Sequence, residues 1–266
     1  MQFLNQINRV ISAFIGSLKF VVKYKLYAYF LPAFVLAVLF YFSMHGGASL
    51  SDKMSFMEDW WVIGTIVSWF TSGIKAVSFL FFEIVILVFL TPINSYFAEK
   101  VKEDLTGIKV EFGWGQFIGS IFRSIRIFAV AFAAEISLII LLWLLSFMLG
   151  DWFYKIVSFV VSSFFIGFSF FDFGLELDGK KSKVSWKWAL ENKFLCLIGG
   201  LIFSISIYIP EETGFLILFL ISISLVPHML TIASVQLYFK DLAKKNHLSL
   251  LAKMIFDFFM KIISLS

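Results

Sequence analysis

Long apolar runs alternate with short polar segments along this chain. The apolar runs cover residues 26–44, 76–98, 127–149, 152–171, 194–209 and 215–239. Most of them are close to the ~20 helical residues that cross a hydrocarbon core of ~30 Å. The pattern predicts an all-α integral membrane protein in which residues 1–266 form a single membrane domain and residues 26–239 hold its transmembrane helices.

The apolar stretch 60–98 is too long for one crossing. A helix of that length would measure ~58 Å at ~1.5 Å per residue, about twice the thickness of the hydrocarbon core. Lys75 divides the stretch, so we expect residues 76–98 to cross the bilayer and residues 60–74 to lie at or above its outer surface.

Two pairs of apolar runs predict helical hairpins. In each pair only a few residues separate the runs, 127–149 from 152–171 and 194–209 from 215–239. The run 194–209 is short for a complete span, so the hairpins either cross the bilayer or penetrate it only in part.

Both ends of the chain predict amphipathic helices, in residues 1–25 and 240–266. Apolar side chains recur there at helical spacing, with polar side chains on the opposite face, as in helices that lie on a membrane surface or pack on other protein. The stripes are formed by Phe3, Leu4, Ile7, Val10, Ile11, Phe14, Ile15, Leu18, Val21 and Val22, and by Leu250, Leu251, Met254, Ile255, Phe258, Phe259, Ile262 and Ile263.

The charges are sorted between the two sides of the apolar runs. All but three of the 22 Lys and Arg residues fall in segments 1–25, 99–126, 172–193 and 240–266. The turns on the other side carry one Lys against Asp52, Glu58, Asp59, Asp151, Glu211 and Glu212. Because short cytoplasmic loops hold an excess of Lys and Arg, the pattern predicts a multi-pass protein with both termini in the cytoplasm.

The composition agrees with this class and argues against others. Hydrophobic residues make up 60% of the chain and charged residues 15%, whereas about a quarter of a soluble domain is charged. The basic residues are divided among membrane-flanking loops, which indicates contact with anionic lipid head groups and not with nucleic acid. Cys196 is the sole cysteine, and the three His residues lack metal-ligand spacing. We therefore expect no metal, no cofactor and no enzymatic activity.

The stretch from Thr91 to Gly107 is the most specific segment of the chain. It reads TPINSYFAEKVKEDLTG and closely resembles the Pro-x-Asn…Glu-Lys-Val-Glu…Leu-Thr-Gly segment of the CysZ-type sulfate permeases. That family shares a superfamily with the etoposide-induced membrane proteins. The resemblance continues at 123–126 and 167–173 and extends over most of the chain.

The resemblance implies a protein of the bacterial inner membrane that takes up sulfate for cysteine synthesis. It also implies helical hairpins that only partly penetrate the membrane, so that subunits would meet in a homo-oligomer. The expected partners are a small inorganic anion and membrane lipids. The alternative is a membrane scaffold that carries nothing, as the etoposide-induced relatives suggest.

Basic residues are the first candidates for contact with an oxyanion. Arg123 and Arg126 share one face of a helix that is about to enter the membrane, and a guanidinium can bind an oxyanion through two hydrogen bonds. The alternative is that both are ordinary membrane anchors. Lys25 stands where many members of the family carry a basic pair ahead of the first span.

Polar residues next to two prolines are further candidates. Thr91 and Asn94 flank Pro92, which predicts either a structural break in the helix or a contact point for the anion. His228 follows Pro227 within an apolar run. We expect a hydrogen-bonded core histidine there, with titration in a transport pathway as the alternative.

Two acidic residues, Glu83 and Glu135, lie inside apolar runs. An ionised carboxylate at that depth costs at least roughly 2.5–3.5 kcal/mol, so each must face protein or water, or carry a proton. Two roles are open for these residues. One is proton coupling or gating, and the other is a structural hydrogen bond between helices.

Overall fold

The computed structural model describes residues 2–38, 89–108 and 114–263. Every regular element in these residues is helical, which confirms the all-α class. In chain order the helices are α1 (Gln2–Lys23), α2 (30–38, entered through a 3-10 turn at Leu26–Tyr29), α3 (89–106), α4 (Trp114–Leu149), α5 (Asp151–Leu177), α6 (Ser182–Glu191), α7 (Lys193–Thr213) and α8 (Leu216–Ile263).

Four helices contain a segment long and apolar enough to cross a membrane. These segments are Ile121–Leu142, Trp152–Leu177, Lys193–Pro210 and Leu216–Asn246. A fifth would be the bent pair of α1 and α2, in which the chain turns by 106°. The protein is thus an all-α, multi-pass membrane protein. The predicted segments 39–44 and 60–88, with Glu83, lie outside the described residues.

Both predicted hairpins are present. Gly150, with a φ of 87°, joins α4 to α5, and Gly214, with a φ of 69°, joins α7 to α8. The second turn is shorter than predicted, because α7 continues through Pro210 to Thr213. The Phe215 N–H donates to the Pro210 carbonyl at 3.0 Å, which satisfies a backbone group that the helix end would leave free.

One predicted boundary is wrong. The amphipathic segment 240–266 is not a separate helix, because α8 runs without interruption from Leu216 to Ile263. No Gly or Pro follows Pro227, so no backbone signal ends the helix where the charged residues begin. Pro92 lies in the first turn of the described helix 89–106, so the alternative of a structural break there falls partly outside the described residues.

The tightest helix crossing joins α5 and α7 through their smallest residues. A Cβ atom on Gly167 would lie 1.7 Å from the Cys196 carbonyl oxygen, and a Cβ atom on Gly200 would lie 1.5 Å from the Ser163 carbonyl oxygen. The small residues are four apart on each helix, so one face of each backbone contacts the other. This is the packing that holds helices together in lipid, where apolar burial between helices gains little.

Two apolar clusters surround this crossing. The first joins α1, α3 and α5 to α6, α7 and α8, and the second brings α2 and α3 against α5, α7 and α8. Ile93 of α3 packs against both clusters. The next residue of α3, Asn94, therefore lies where the two clusters meet.

Replacing Gly200 with Ala is expected to lower thermal stability, because the new methyl group must push α7 away from the Ser163 carbonyl. Overpacking of this kind costs roughly 1–3 kcal/mol, and sometimes more. The matched control is Gly199→Ala, whose new Cβ would lie 3.8 Å from the Phe171 ring at an ordinary contact distance. The measurement is the midpoint of thermal unfolding in detergent. Equal midpoints for the two variants would contradict the close approach of α5 and α7.

Candidate functional site

A pair of polar side chains lies fully buried between α3 and α8. The Nδ1 atom of His228 and the Oδ1 atom of Asn94 are 2.7 Å apart, and both residues have no solvent exposure. His228 belongs to the membrane-spanning segment Leu216–Asn246. The structure therefore confirms the predicted hydrogen-bonded core histidine, and it brings Asn94 together with a residue 134 positions away.

Each member of the Asn94–His228 pair keeps one hydrogen-bonding atom free. Neither Asn94 Nδ2 nor His228 Nε2 has a partner within residues 2–38, 89–108 and 114–263. A buried polar atom without a partner costs roughly 1–3 kcal/mol, so such atoms call for an explanation. Each of the two free atoms can form one hydrogen bond with a small polar guest.

Aromatic rings and proline fix the orientation of the histidine ring. The ring centroid of His228 lies 5.4 Å from that of Phe30 on α2 and 5.1 Å from that of Phe97 on α3. Pro227 removes one backbone donor from α8, and the Thr231 hydroxyl donates to its carbonyl at 2.9 Å. Three helices thus meet at the pair and hold it in place.

The tautomer of His228 decides what the pair can bind. When Nδ1–H donates to Asn94 Oδ1, the free atoms are an amide donor and an imidazole acceptor, which suit water or a protonated guest. When the imidazole is protonated, both free atoms are donors and suit an oxyanion. Thr91, one turn earlier on α3, is also fully buried and lies on the same helix face as Asn94.

Arg123 is committed to the protein at the Lys-rich end of α5. Its Nη2 and Nε atoms donate to the two Asp172 carboxylate oxygens at 3.0 and 3.2 Å. Further donors reach the Lys180 carbonyl at 2.5 Å and the Ser185 hydroxyl at 3.1 Å. The sequence-based prediction of Arg123 as an anion contact overlooked this carboxylate, which neutralises the guanidinium.

The same end of α5 is held by two other helices. Lys102 of α3 donates to the Leu177 carbonyl at 2.8 Å, which satisfies one of the carbonyls that a helix C-terminus leaves free. The Tyr238 hydroxyl of α8 donates to Asp178 at 2.7 Å, and Lys180 pairs with Asp178 at 3.2 Å. We call these contacts, with those of Arg123, the α5-end network. It ties α3, α4 and α8 to α5.

The remaining candidates lie apart from the polar pair. Arg126 and Lys25 are exposed, and Lys25 takes up a left-handed conformation with a φ of 53° between α1 and the turn that leads into α2. Glu135 is buried between α4 and α5 and accepts a hydrogen bond from the Ser162 hydroxyl. This contact is the helix-to-helix hydrogen bond that its position in an apolar run allows.

Comparison with known proteins does not assign the chain to a family. Neither the models of known protein families nor the curated protein sequences give a match to the chain. In the described part of the chain no group of His, Cys, Asp or Glu side chains is arranged to hold a metal ion, and Cys196 is a buried free thiol.

Sequence reasoning weighed Asn94 and His228 separately and missed their pairing. The local signals were present, since each follows a proline closely within or beside an apolar run. Prolines in membrane helices free backbone groups that neighbouring side chains then satisfy. No local pattern, however, links positions on α3 and α8 that are far apart along the chain.

One group outside the spans titrates near neutral pH. Glu99 is half-buried on α3, and its burial, followed by the charge of Glu176, raises its pKa to about 7. Lys102 and Lys100 act in the opposite direction without offsetting these effects. The charge on α3 beside the α5-end network therefore changes near neutral pH.

Breaking the Arg123–Asp172 pair is expected to destabilise the protein. Arg123→Met leaves a nearly buried carboxylate without its partner, at a cost of roughly 3 kcal/mol, whereas the double variant Arg123→Met, Asp172→Leu recovers much of that loss. The control is Lys187→Met, which removes an exposed ion pair to Glu191 and should change little. Thermal unfolding in detergent measures all three. An Arg123→Met midpoint equal to that of the control would show that the pair has no structural role.

The raised pKa of Glu99 predicts that the stability of the protein depends on pH. Because its pKa in the folded protein lies above the ordinary value of 4.5, ionisation of Glu99 lowers stability as the pH rises from 4.5 to about 7. Glu99→Gln should therefore raise the free energy of unfolding at pH 8 by ~1 kcal/mol, after allowance for solvent screening, and with it the unfolding midpoint. Near pH 4.5 it should leave both unchanged. Unfolding curves at both pH values check this, with the exposed Glu191→Gln as control. An equal gain at both pH values would refute the assignment.

Proposed function

We propose that this protein moves a small oxyanion, with sulfate as the first candidate, across the membrane, and that Asn94 and His228 contact the anion inside the bilayer. The observation that carries this proposal is the pair of free, fully buried hydrogen-bonding atoms in the described structure. A guest that accepts from Asn94 Nδ2, and from His228 Nε2 once the imidazole is protonated, would remove the cost of leaving both atoms unpaired.

The Asn94 amide is a neutral donor, and at this depth it suits anion passage better than a fixed charge. A charged side chain near the bilayer centre costs at least roughly 2.5–3.5 kcal/mol when the protein inserts, while an amide N–H carries no net charge. Protonation of His228 upon anion entry would supply a second donor and compensate part of the anion's charge. The buried Thr91 hydroxyl on the same face adds a further group of the right kind.

The resemblance of residues 91–107 to CysZ-type sulfate permeases supports sulfate as the substrate, because Thr91, Pro92 and Asn94 belong to that segment. On this basis the protein would lie in a bacterial inner membrane with both termini in the cytoplasm and would supply sulfate for cysteine synthesis. The partly penetrating hairpins of that family also favour a homo-oligomer.

Uptake of radiolabelled sulfate into proteoliposomes tests the proposal. The intact protein should exceed protein-free vesicles, and Asn94→Leu and His228→Phe should each lower the initial rate about tenfold, the equivalent of ~1.4 kcal/mol for one lost hydrogen bond. The matched control is Ser224→Ala, because this buried hydroxyl of α8 donates to the Leu220 carbonyl of its own helix at 2.6 Å. Ser224→Ala should keep the rate.

Two outcomes would contradict the proposal in different ways. Rates equal to those of protein-free vesicles for sulfate, sulfite and thiosulfate would reject transport and leave the scaffold alternative. A rate that survives both substitutions in the pair but falls in Arg126→Gln would keep transport and move the anion contact to the exposed arginine.

A further inference from the structure

α1 ends beside the turn that leads into α2. Only Tyr24 and Lys25 separate it from the turn and helix that follow, and the chain turns by 106° there. If the following helix runs steeply into the bilayer, α1 must run close to the membrane plane. Its distance from the membrane is limited too, because two residues span at most ~7 Å.

Ion pairs hold α1 against the protein near both of its ends. Arg9 pairs with Asp241 of α8 at 2.5 Å, and Lys23 pairs with Asp104 of α3 at 2.6 Å. The Tyr24 hydroxyl also donates to Asp104, and these two donors lower the pKa of that carboxyl. Asp241 lies near the end of the membrane-spanning segment Leu216–Asn246, so α1 lies at the level where α8 leaves the apolar layer.

The surface of α1 is divided into three faces. One face packs on the protein and includes the buried residues Val10, Ser17 and Val21. A second face is polar and exposed and includes Asn5, Ser12 and Lys19. The third face is apolar and exposed, and its residues are Leu4, Ile11, Ile15, Leu18 and Val22, which lie between 42% and 71% exposed.

The spacing of the third face shows that it is one continuous strip. Its residues are separated by seven, four, three and four positions, which at ~100° per residue places them within ~60° of one another around the helix. A helix that needed only to pack on protein has no reason to keep this strip apolar. The three faces are explained by a helix that turns its apolar face towards lipid, its polar face towards water and its third face towards its own protein.

We propose that α1 lies in the bilayer interface, with the strip Leu4, Ile11, Ile15, Leu18 and Val22 buried among the upper acyl chains of the leaflet that α8 leaves near Asp241. Lys19 lies at the border between the strip and the polar face, where its ammonium reaches lipid phosphates while its stem stays on the apolar side. The occupant of this surface is therefore lipid, and the charge of Lys19 favours an anionic leaflet.

Nitroxide labels at single introduced cysteines test the placement of α1. The labelled variants are Ile11→Cys and Ile15→Cys on the apolar strip, with Asn5→Cys and Ser12→Cys as matched controls on the polar face. Cys196 is fully buried, and the unsubstituted protein shows whether it reacts. The full chain is placed in vesicles of phosphatidylcholine and phosphatidylglycerol, and collision rates are measured with oxygen, which concentrates in the acyl layer, and with a water-soluble nickel complex.

The expected result is a several-fold higher oxygen-to-nickel collision ratio at positions 11 and 15 than at positions 5 and 12. Nickel collisions at position 15 equal to those at position 12 would place the strip in water and overturn the proposal. Low collision rates with both reagents at positions 11 and 15 would overturn it as well, because the strip would then be covered by protein such as a second copy of this chain.

Discussion

Contact between α5 and α7 is the constraint on which the rest of the arrangement depends. Inside a bilayer, apolar side chains gain little by leaving lipid for protein, so helices associate where their backbones can approach closely. Gly167 and Gly200 allow that approach, and a side chain at either position would overlap a carbonyl of the other helix. α7 continues through a two-residue turn into α8, so the crossing also limits where α8, and with it His228, can lie.

The polar groups are sorted by depth along this frame. Charged side chains gather at the end of α5, where Arg123 pairs with Asp172 and Lys102 donates to a carbonyl at the helix C-terminus. The neutral pair of Asn94 and His228 lies about two turns of α3, or ~12 Å of helix, before Lys102, and His228 belongs to the apolar segment Leu216–Asn246. This order follows the cost of each group in lipid, which is high for a charge and moderate for an amide.

Periodicity and turn residues predicted most of the elements, but not their partners. The spacing of Gly150 and Gly214 between apolar runs was enough to predict both hairpins, since each glycine adopts a positive φ that other residues avoid. The start of the charged segment at Lys240 was a poor boundary signal. Charged residues indicate that a helix has left the apolar layer, but they do not interrupt its backbone hydrogen bonds. Arg123 and Asp172 are 49 residues apart, so their pairing depends on how α4 and α5 pack. A single sequence carries no such signal.

The pairing of Arg123 changes where an anion contact is reasonable. Its guanidinium already donates to a carboxylate that is only 8% exposed, and an incoming oxyanion would have to displace that carboxylate and leave it buried without a partner. Asn94 and His228 require no such exchange, because their free atoms have no described partner to give up. An anion contact at the neutral pair would therefore break no ion pair, whereas one at the arginine would, although the arginine carries the charge. In a membrane protein the availability of a donor weighs more than its formal charge wherever that charge is already neutralised.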